Sequence, residues 1–164
     1  MIRYTWITTP LGKLLIAADA RGLVSAALST PTESISVPKD WKSDRAHFAK
    51  AETALRAFFE KGKPLPRLPK GALLTTKGGS DFQRKVWDAI EKIPFGETRS
   101  YGEIAESIGH PGAARAVGTA CGANPLMLFT PCHRVLAARG GIGGYGFCGI
   151  DVKKKLLSIE GHEW

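Results

Sequence analysis

The chain predicts an α/β (α+β) fold in two lobes, a small β-sheet-plus-helix lobe followed by an α-rich one. Three observations carry this. The first 29 residues hold three strand-like runs separated by turn residues. The second half carries two helix-start signals, a cap at Ser80 and an S-x-x-E capping box at Ser100-Tyr101-Gly102-Glu103. Between them lies a proline-rich stretch suited to a linker. The expected domains are residues 1–76 and 77–164.

Taken in order, Ile2 to Ile7, Leu14 to Ala18 and Leu23 to Leu28 read as a β-meander, with turns at Pro10-Leu11-Gly12 and Asp19 to Gly22. Residues 30–43 are polar and rich in Pro, Ser and Thr, and read as a loop. Asp44 to Lys61 reads as an amphipathic helix whose stripe is Phe48, Leu55, Phe58 and Phe59. At helical spacing such a stripe is core rather than a ligand box. Gly62 to Gly71, with three prolines, is the linker, and a strand at Ala72 to Thr76 closes the first lobe. The helix capped by Ser80 supplies Phe82, Val86, Trp87, Ile90 and Ile93 to the second core.

A helix-turn-helix pattern follows. The helix begun at Ser100 carries Ile104, Ala105 and Ile108 and stops at Gly109; His110-Pro111-Gly112 turns the chain; Ala113 to Cys121 forms the second helix. That second helix is nearly all small residues, with Arg115 as its one long charged side chain. A helix without bulk packs tightly inside a protein, or lies against DNA with Arg115 reaching into the duplex. Composition leaves both open.

Leu126-Met127-Leu128-Phe129 has the character of a short buried strand, broken by Thr130-Pro131, and it delivers Cys132 directly before His133 and Arg134. A cysteine attacks as thiolate and needs a neighbour that takes its proton or stabilises negative sulfur. His133 and Arg134 suit either task, although a buried Cys is more often a small hydrophobe. The glycines of Gly140-Gly141-Ile142-Gly143-Gly144-Tyr145-Gly146 lack the Gly-Lys-Ser/Thr ending of a P-loop, which excludes a nucleotide site. They suit a backbone wall that approaches a flat ligand closely. A final helix runs from Asp151 to Glu160. Its run Lys153-Lys154-Lys155 reads as a solvated face in preference to a DNA contact.

The 23 basic and 15 acidic residues leave a formal charge of +8, which makes a polyanionic partner plausible. No apolar run approaches the roughly 20 residues of a membrane span, and no signal peptide opens the chain. Three cysteines, an odd number, argue against a disulfide framework and for a reducing, cytoplasmic setting. No Cys/His spacing suggests zinc, and the expectation is no metal and no cofactor. Cys121 reads as a small core residue, and His47, His110 and His162 as surface residues without partners.

Pro131-Cys132-His133-Arg134-Val135, Asn124-Pro125, Ala114-Arg115-Ala116-Val117-Gly118, Ser100-Tyr101, Gly144-Tyr145 and Leu156-Leu157-Ser158-Ile159-Glu160-Gly161 together resemble the O6-alkylguanine-DNA alkyltransferases. These repair proteins move an alkyl group from guanine to their own cysteine. The strong part of the resemblance spans about residues 80–161, with the first lobe fitting loosely.

The resemblance implies a ribonuclease H-like first lobe and a winged-helix-like second one. It implies Cys132 as nucleophile, His133 as its base through a water, Glu160 orienting that histidine, and Asn124 holding the active-site turn in register. Tyr101 would donate to the leaving guanine and crowd the adjacent phosphate. The Gly146 amide would stabilise the guanine oxygen, and the carbonyls of Cys132 and Val135 would receive the exocyclic amine. Met127, Ile142, Tyr145 and Phe147 complete the expected pocket. Because the target atom is shut inside a stacked duplex, the base must flip out. Arg115 would fill the gap, on a minor-groove helix whose Ala114 and Gly118 permit close approach. The partner implied is double-stranded DNA bearing O6-alkylguanine, and O4-alkylthymine by the same chemistry. No membrane is implied; the protein is expected to be monomeric, with cooperation along DNA left open.

After Tyr145 the chain departs from the family pattern. Gly146-Phe147-Cys148-Gly149 reads as an insertion that sets Phe147 over the pocket, so methyl is expected to be accepted more readily than benzyl. Two other classes stay in view. A damage sensor that binds alkylated DNA without repairing it would have lost its cysteine. A winged-helix regulator would bind by sequence and leave Cys132 unmodified.

Overall fold

The computed structural model describes residues 1–31, 33–71, 78–144 and 149–163. Within them the chain forms two compact units, 1–78 with 125–129, and 79–124 with 130–164. A single boundary after residue 76 leaves out the return of 125–129 to the first unit.

In the first unit β1 (Arg3–Thr9), β2 (Gly12–Ala18) and β3 (Leu23–Ser29) form the expected meander. The sheet order is β3-β2-β1-β4, with β2 antiparallel to both neighbours. Flanked on both sides, β2 is buried continuously from Leu14 to Ala18, which explains its run of apolar residues without alternation. β4 (Lys42–Ser43) falls in the stretch expected to be only loop; it lies in parallel beside Arg3 and Tyr4, where Lys42 N donates to Ile2 O and Asp44 N to Tyr4 O, each at 2.9 Å.

The edge of β3 is covered by backbone. Leu23 N donates to Pro69 O at 2.9 Å and Gly71 N to Leu23 O at 2.7 Å, while Ala26 N donates to Pro125 O at 2.9 Å and Met127 N to Ala26 O at 3.0 Å. These bonds close an edge that would otherwise offer free amides and carbonyls. The strand expected at Ala72 to Thr76 lies outside the described residues.

Leu126, Met127 and Leu128 are buried as their apolarity requires, but they form a turn and not a strand. Pro125 has no amide to donate, and Leu128 is left-handed at φ 74°, which turns the chain after a single bridge between Ala26 and Leu126. A 3₁₀ turn (Ala46–Phe48), which buries Phe48, precedes α1 (Ala49–Lys61), which contacts β1 and buries Ala51, Leu55 and Phe58.

In the second unit, α2 (Asp81–Glu91) is started by a full capping box between Ser80 and Gln83, and α3 (Tyr101–Ser107) by one between Ser100 and Glu103. The helix-turn-helix closes with α4 (Ala114–Gly122). Val117, Ala120 and Cys121 face inward on α4, where Ala120 O accepts the indole N–H of Trp87 at 2.8 Å. Arg115, Ala116 and Thr119 face solvent. The small residues therefore serve tight packing on one face and leave a low, accessible surface on the other. β5 (Arg99–Ser100) pairs in parallel with β6 (Val135–Leu136), which ties the start of α3 to the chain just beyond Cys132. α5 (Ile150–Ile159) packs on the turn that carries the cysteine.

Candidate active site

Cys132, His133 and Arg134 form a 3₁₀ turn, and all three are buried. The thiol is 3% exposed. Asn124, buried at the end of the helix-turn-helix, sets this turn. Its Nδ2 donates to Thr130 O at 2.8 Å and to Cys132 Sγ at 3.1 Å, so one amide spans the two places where the chain leaves and re-enters the second unit. Thr130 is held again through its hydroxyl, which donates to Glu91 at 3.0 Å.

Burial and the adjoining thiol of Cys121 push the Cys132 thiol well above its ordinary value, while the Asn124 amide and the charge of Lys153 pull the other way. The resting group is therefore a thiol, which would have to lose a proton to act as a nucleophile. His133 is the neighbouring imidazole. Its Nε2 is paired with Glu160 Oε2, and its Nδ1 is buried with no hydrogen-bond partner among the described residues. Burial lowers the histidine below its usual range against the pull of Glu160. A neutral ring with its proton on Nε2, toward the carboxylate, leaves the Nδ1 lone pair ready to accept.

Glu160 terminates α5 with its side chain fully buried. Its Oε1 accepts from Arg134 Nε at 2.8 Å and from the Gly96 amide at 2.9 Å. Burial alone would raise this carboxyl; the bonds from His133 and Gly96 and the Arg134 charge outweigh it and hold the group at about 2. Arg134 also donates from Nη1 to Ile93 O at 2.8 Å and lies over the Phe95 ring. It thus serves the carboxylate. Adjacency in sequence offered it equally to the sulfur, and only the turn separates these alternatives.

Cys132 lines a cavity of about 730 Å³ together with Tyr101, Ala114, Arg115, Gly118 and Cys121, among others. Helix-turn-helix residues and the thiol therefore share one space. Cys121 is a buried member of the core of the second unit, as expected, and it also lines this cavity beside Cys132. A second cavity of about 760 Å³, between α2 and α3, is lined by Lys85, Asp88, Lys92, Arg99 and Glu103 among others and has no cysteine in its walls. Volume does not separate the two; the chemistry of the walls does.

The glycine loop approaches an aromatic side chain. Gly143 sits at φ +69°, and a Cβ there would lie 3.0 Å from the Tyr101 ring. Tyr101 Oη donates to Gly144 O at 3.3 Å. Lys153, expected on a solvated face, is fully buried, and its Nζ donates to Val135 O at 2.7 Å and Gly144 O at 3.1 Å. Helical spacing held the signal for it. Positions 153, 156, 157 and 160 share one face, and the other three read as buried or functional.

Val135 is buried with its carbonyl turned to Lys153. Met127 is buried in the first unit, and neither it nor the half-buried Ile142 lines the cavity. Tyr145, Gly146, Phe147 and Cys148 lie outside the described residues. All three histidines differ from the expectation of partnerless surface residues: His47 lies 3.4 Å from Arg3 Nη1 and meets the Phe48 ring edge-on, His110 stacks edge-on with Phe82, and His162 has a buried Nε2. Among the described residues no cluster of three or more His, Cys, Asp or Glu is placed to hold a metal ion.

A buried thiol followed by a His-Glu pair, sharing a cavity with helix-turn-helix residues, fits a class of DNA-directed protein with a cysteine at its centre. The 6-O-methylguanine DNA methyltransferase DNA-binding domain matches residues 81–162, and the ribonuclease-like domain of the same proteins matches residues 2–69. The chain belongs to the 6-O-methylguanine DNA methyltransferase family. It is 39% identical over 158 residues to the methylated-DNA–protein-cysteine methyltransferase of Methanosarcina acetivorans, covering 96% of this chain and 97% of that one. It is 42% identical over 160 residues to the protein of that name from Mycobacterium tuberculosis, covering 98% and 93%. Among solved structures it is similar to Mycobacterium tuberculosis OGT in complex with DNA, with TM-score 0.82, 41% identity, and 96% and 92% of the two chains covered.

Proposed function

We propose that this chain repairs DNA by direct reversal, moving the alkyl group of O6-alkylguanine, and of O4-alkylthymine, irreversibly onto Cys132. The observation that carries the reading is the position of that thiol. It is hydrogen-bonded by Asn124, is followed by the His133–Glu160 pair, and lines a cavity it shares with helix-turn-helix residues.

The lesion in double-stranded DNA flips out at a cost of a few kcal/mol. Arg115, exposed on α4 and lining the same cavity, fills the vacated stack. Ala114 and Gly118 let the backbone come close to the groove. The proton of Cys132 passes through a water to Nδ1 of His133, and Glu160 stabilises the imidazolium that results. The sulfur then forms its bond to the alkyl carbon as the bond to O6 breaks, with the electron pair leaving on guanine. Tyr101 donates a proton to the departing base. The product is a thioether, so one chain, acting as a monomer, serves one lesion and no diffusible cofactor enters the balance.

Intact mass after mixing with a duplex carrying one O6-methylguanine tests this. One methyl group gained per chain, and none by Cys132→Ala, is the expected result. Unchanged mass with lesion-selective binding would instead identify a damage sensor, and unchanged mass without lesion preference a regulator.

A further inference from the structure

The positive charge is unevenly divided. Residues 1–78 hold 13 of the 23 basic residues against 6 of the 15 acidic ones, whereas residues 79–164 hold 10 against 9. No charged residue falls in 125–129, so the return of that segment to the first unit leaves the division unchanged. The unit that carries the helix-turn-helix and Cys132 is therefore almost neutral. The excess that draws the chain to a polyanion lies in the first unit.

Part of that excess is concentrated in the proline-rich connection. From Lys61 to Ser80 the sequence has five basic residues and no acidic one. Lys61, Lys63 and Arg67 are exposed, as are Pro64, Pro66 and Pro69, while Leu65 and Leu68 are half-buried. The apolar side chains anchor the segment and the cations are left outside. Both ends are fixed by backbone. Gly62, left-handed at φ 61°, closes α1 with its amide on Phe58 O at 3.0 Å, and Lys63 N donates to Ala57 O at 3.2 Å. At the far end Pro69 O and the Gly71 amide hold Leu23 of β3. Gly22 permits this approach, since a Cβ there would lie 2.1 Å from Pro69 O. In between, proline fixes φ at 64, 66 and 69 and drives 63, 65 and 68 toward extended backbone. A cationic segment so restrained gives up little further freedom on binding. The carboxylates beside it are Glu60, near the end of α1, and Asp19, whose Oδ1 accepts the Arg21 and Gly22 amides at 2.8 and 3.1 Å. Against Lys61, Lys63, Arg67 and Lys70 these two leave a net positive charge.

We propose that Lys61, Lys63 and Arg67 form a DNA-binding surface separate from the helix-turn-helix, which holds the backbone phosphates of duplex DNA without regard to lesion or sequence. This rests on the reading above for DNA as the partner, and not on the chemistry at Cys132. The dimensions suit it. Four residues of extended chain, as from Lys63 to Arg67, reach about 13 Å. One DNA strand presents a phosphate about every 3.4 Å of helix axis over that length. An anionic membrane fits less well, because it rewards exposed apolar anchors beside the cations. Among the described residues the exposed large hydrophobic side chains are Met1 and Ile150, neither of them in this segment.

The test is equilibrium binding of the full chain to an undamaged duplex across a salt series, beside methyl transfer from free O6-methylguanine base followed by intact mass. Lys61→Gln/Lys63→Gln is expected to reduce the slope of log affinity against log salt by about 1.8, and Arg67→Gln added to it by about 0.9 more, one phosphate contact each. Lys42→Gln/Lys50→Gln removes equal charge from exposed positions elsewhere in the first unit and is expected to reduce the slope by less than about 0.5. Lys61→Arg/Lys63→Arg is expected to keep the wild-type slope. Transfer from the free base is expected to be unchanged in every variant, which also shows that each is folded.

A wild-type slope in Lys61→Gln/Lys63→Gln overturns the proposal, and so does an equal loss in Lys42→Gln/Lys50→Gln, which would reduce the effect to net charge. Loss of binding to phosphatidylserine vesicles with no change on DNA would also overturn it and give the segment to a membrane. If the wild type gains no methyl group from duplex or base, the alkyl-transfer reading falls, while the salt slopes still decide this proposal.

Discussion

Glu160 joins three donors from three places, the His133 ring, the Arg134 guanidinium and the Gly96 amide. A carboxylate so surrounded stays ionised, and its stabilisation has a definite pH window. Its folded value of about 2 lies below the ordinary 4.5, so the contribution is complete above about 4.5 and disappears as pH falls through about 2. Glu160→Gln is therefore expected to lower the denaturation midpoint at neutral pH, with the gap to wild type closing across that acid window. The same variant is expected to slow methyl transfer by about a hundredfold, the lower part of the range for general acid–base assistance. Equal midpoints at neutral pH, measured by denaturant titration, would count against the buried triad.

α3 has seven residues, too few to persist without help from its ends. Ser100 supplies that help by accepting from Glu103 N at 3.0 Å, while Glu103 reaches back to the Ser100 amide. Because Tyr101 is the first residue of the helix, the cap also sets where the phenol begins. Ser100→Ala is expected to lower stability by about 1 kcal/mol. Thermal or denaturant unfolding measures that directly. A fall in transfer rate larger than the stability loss accounts for, measured where both proteins are folded, would show that the cap positions Tyr101 as well as the helix.

The charge of +8 acts over the whole molecule. Phosphate contacts release counterions, so affinity for undamaged duplex is expected to fall linearly with the logarithm of salt concentration. Arg115→Ala separates that general attraction from the work of extruding a base. If Arg115 fills the vacated stack, the variant transfers more slowly from duplex DNA, by about tenfold for a loss of ~1.4 kcal/mol, yet reacts normally with a free alkylated guanine base. A variant equally slow on both substrates would place Arg115 in the chemistry and not in the opening of the duplex.

The sequence by itself determined the fold class, the meander, the capped helices, the helix-turn-helix and the cluster around Cys132. Each of these is written in local signals: alternation and turns, a side chain three residues from its amide, a thiol beside an imidazole. Family membership, too, was legible from motifs spread over half the chain. Tertiary structure alone decided where long side chains end. Lys153 sits in a run of lysines that reads as solvated, and only packing of α5 against the Cys132–Arg134 turn turns its amine inward. Arg134 could have served the sulfur, and the 3₁₀ turn gives it to Glu160 instead. Leu126 to Leu128 had the composition of a strand, but hydrogen-bond partners and a left-handed residue made it a turn. The common reason is that a burial pattern constrains which face a residue occupies, whereas the partner of a long polar side chain depends on elements distant in sequence that only the folded chain brings within hydrogen-bond reach.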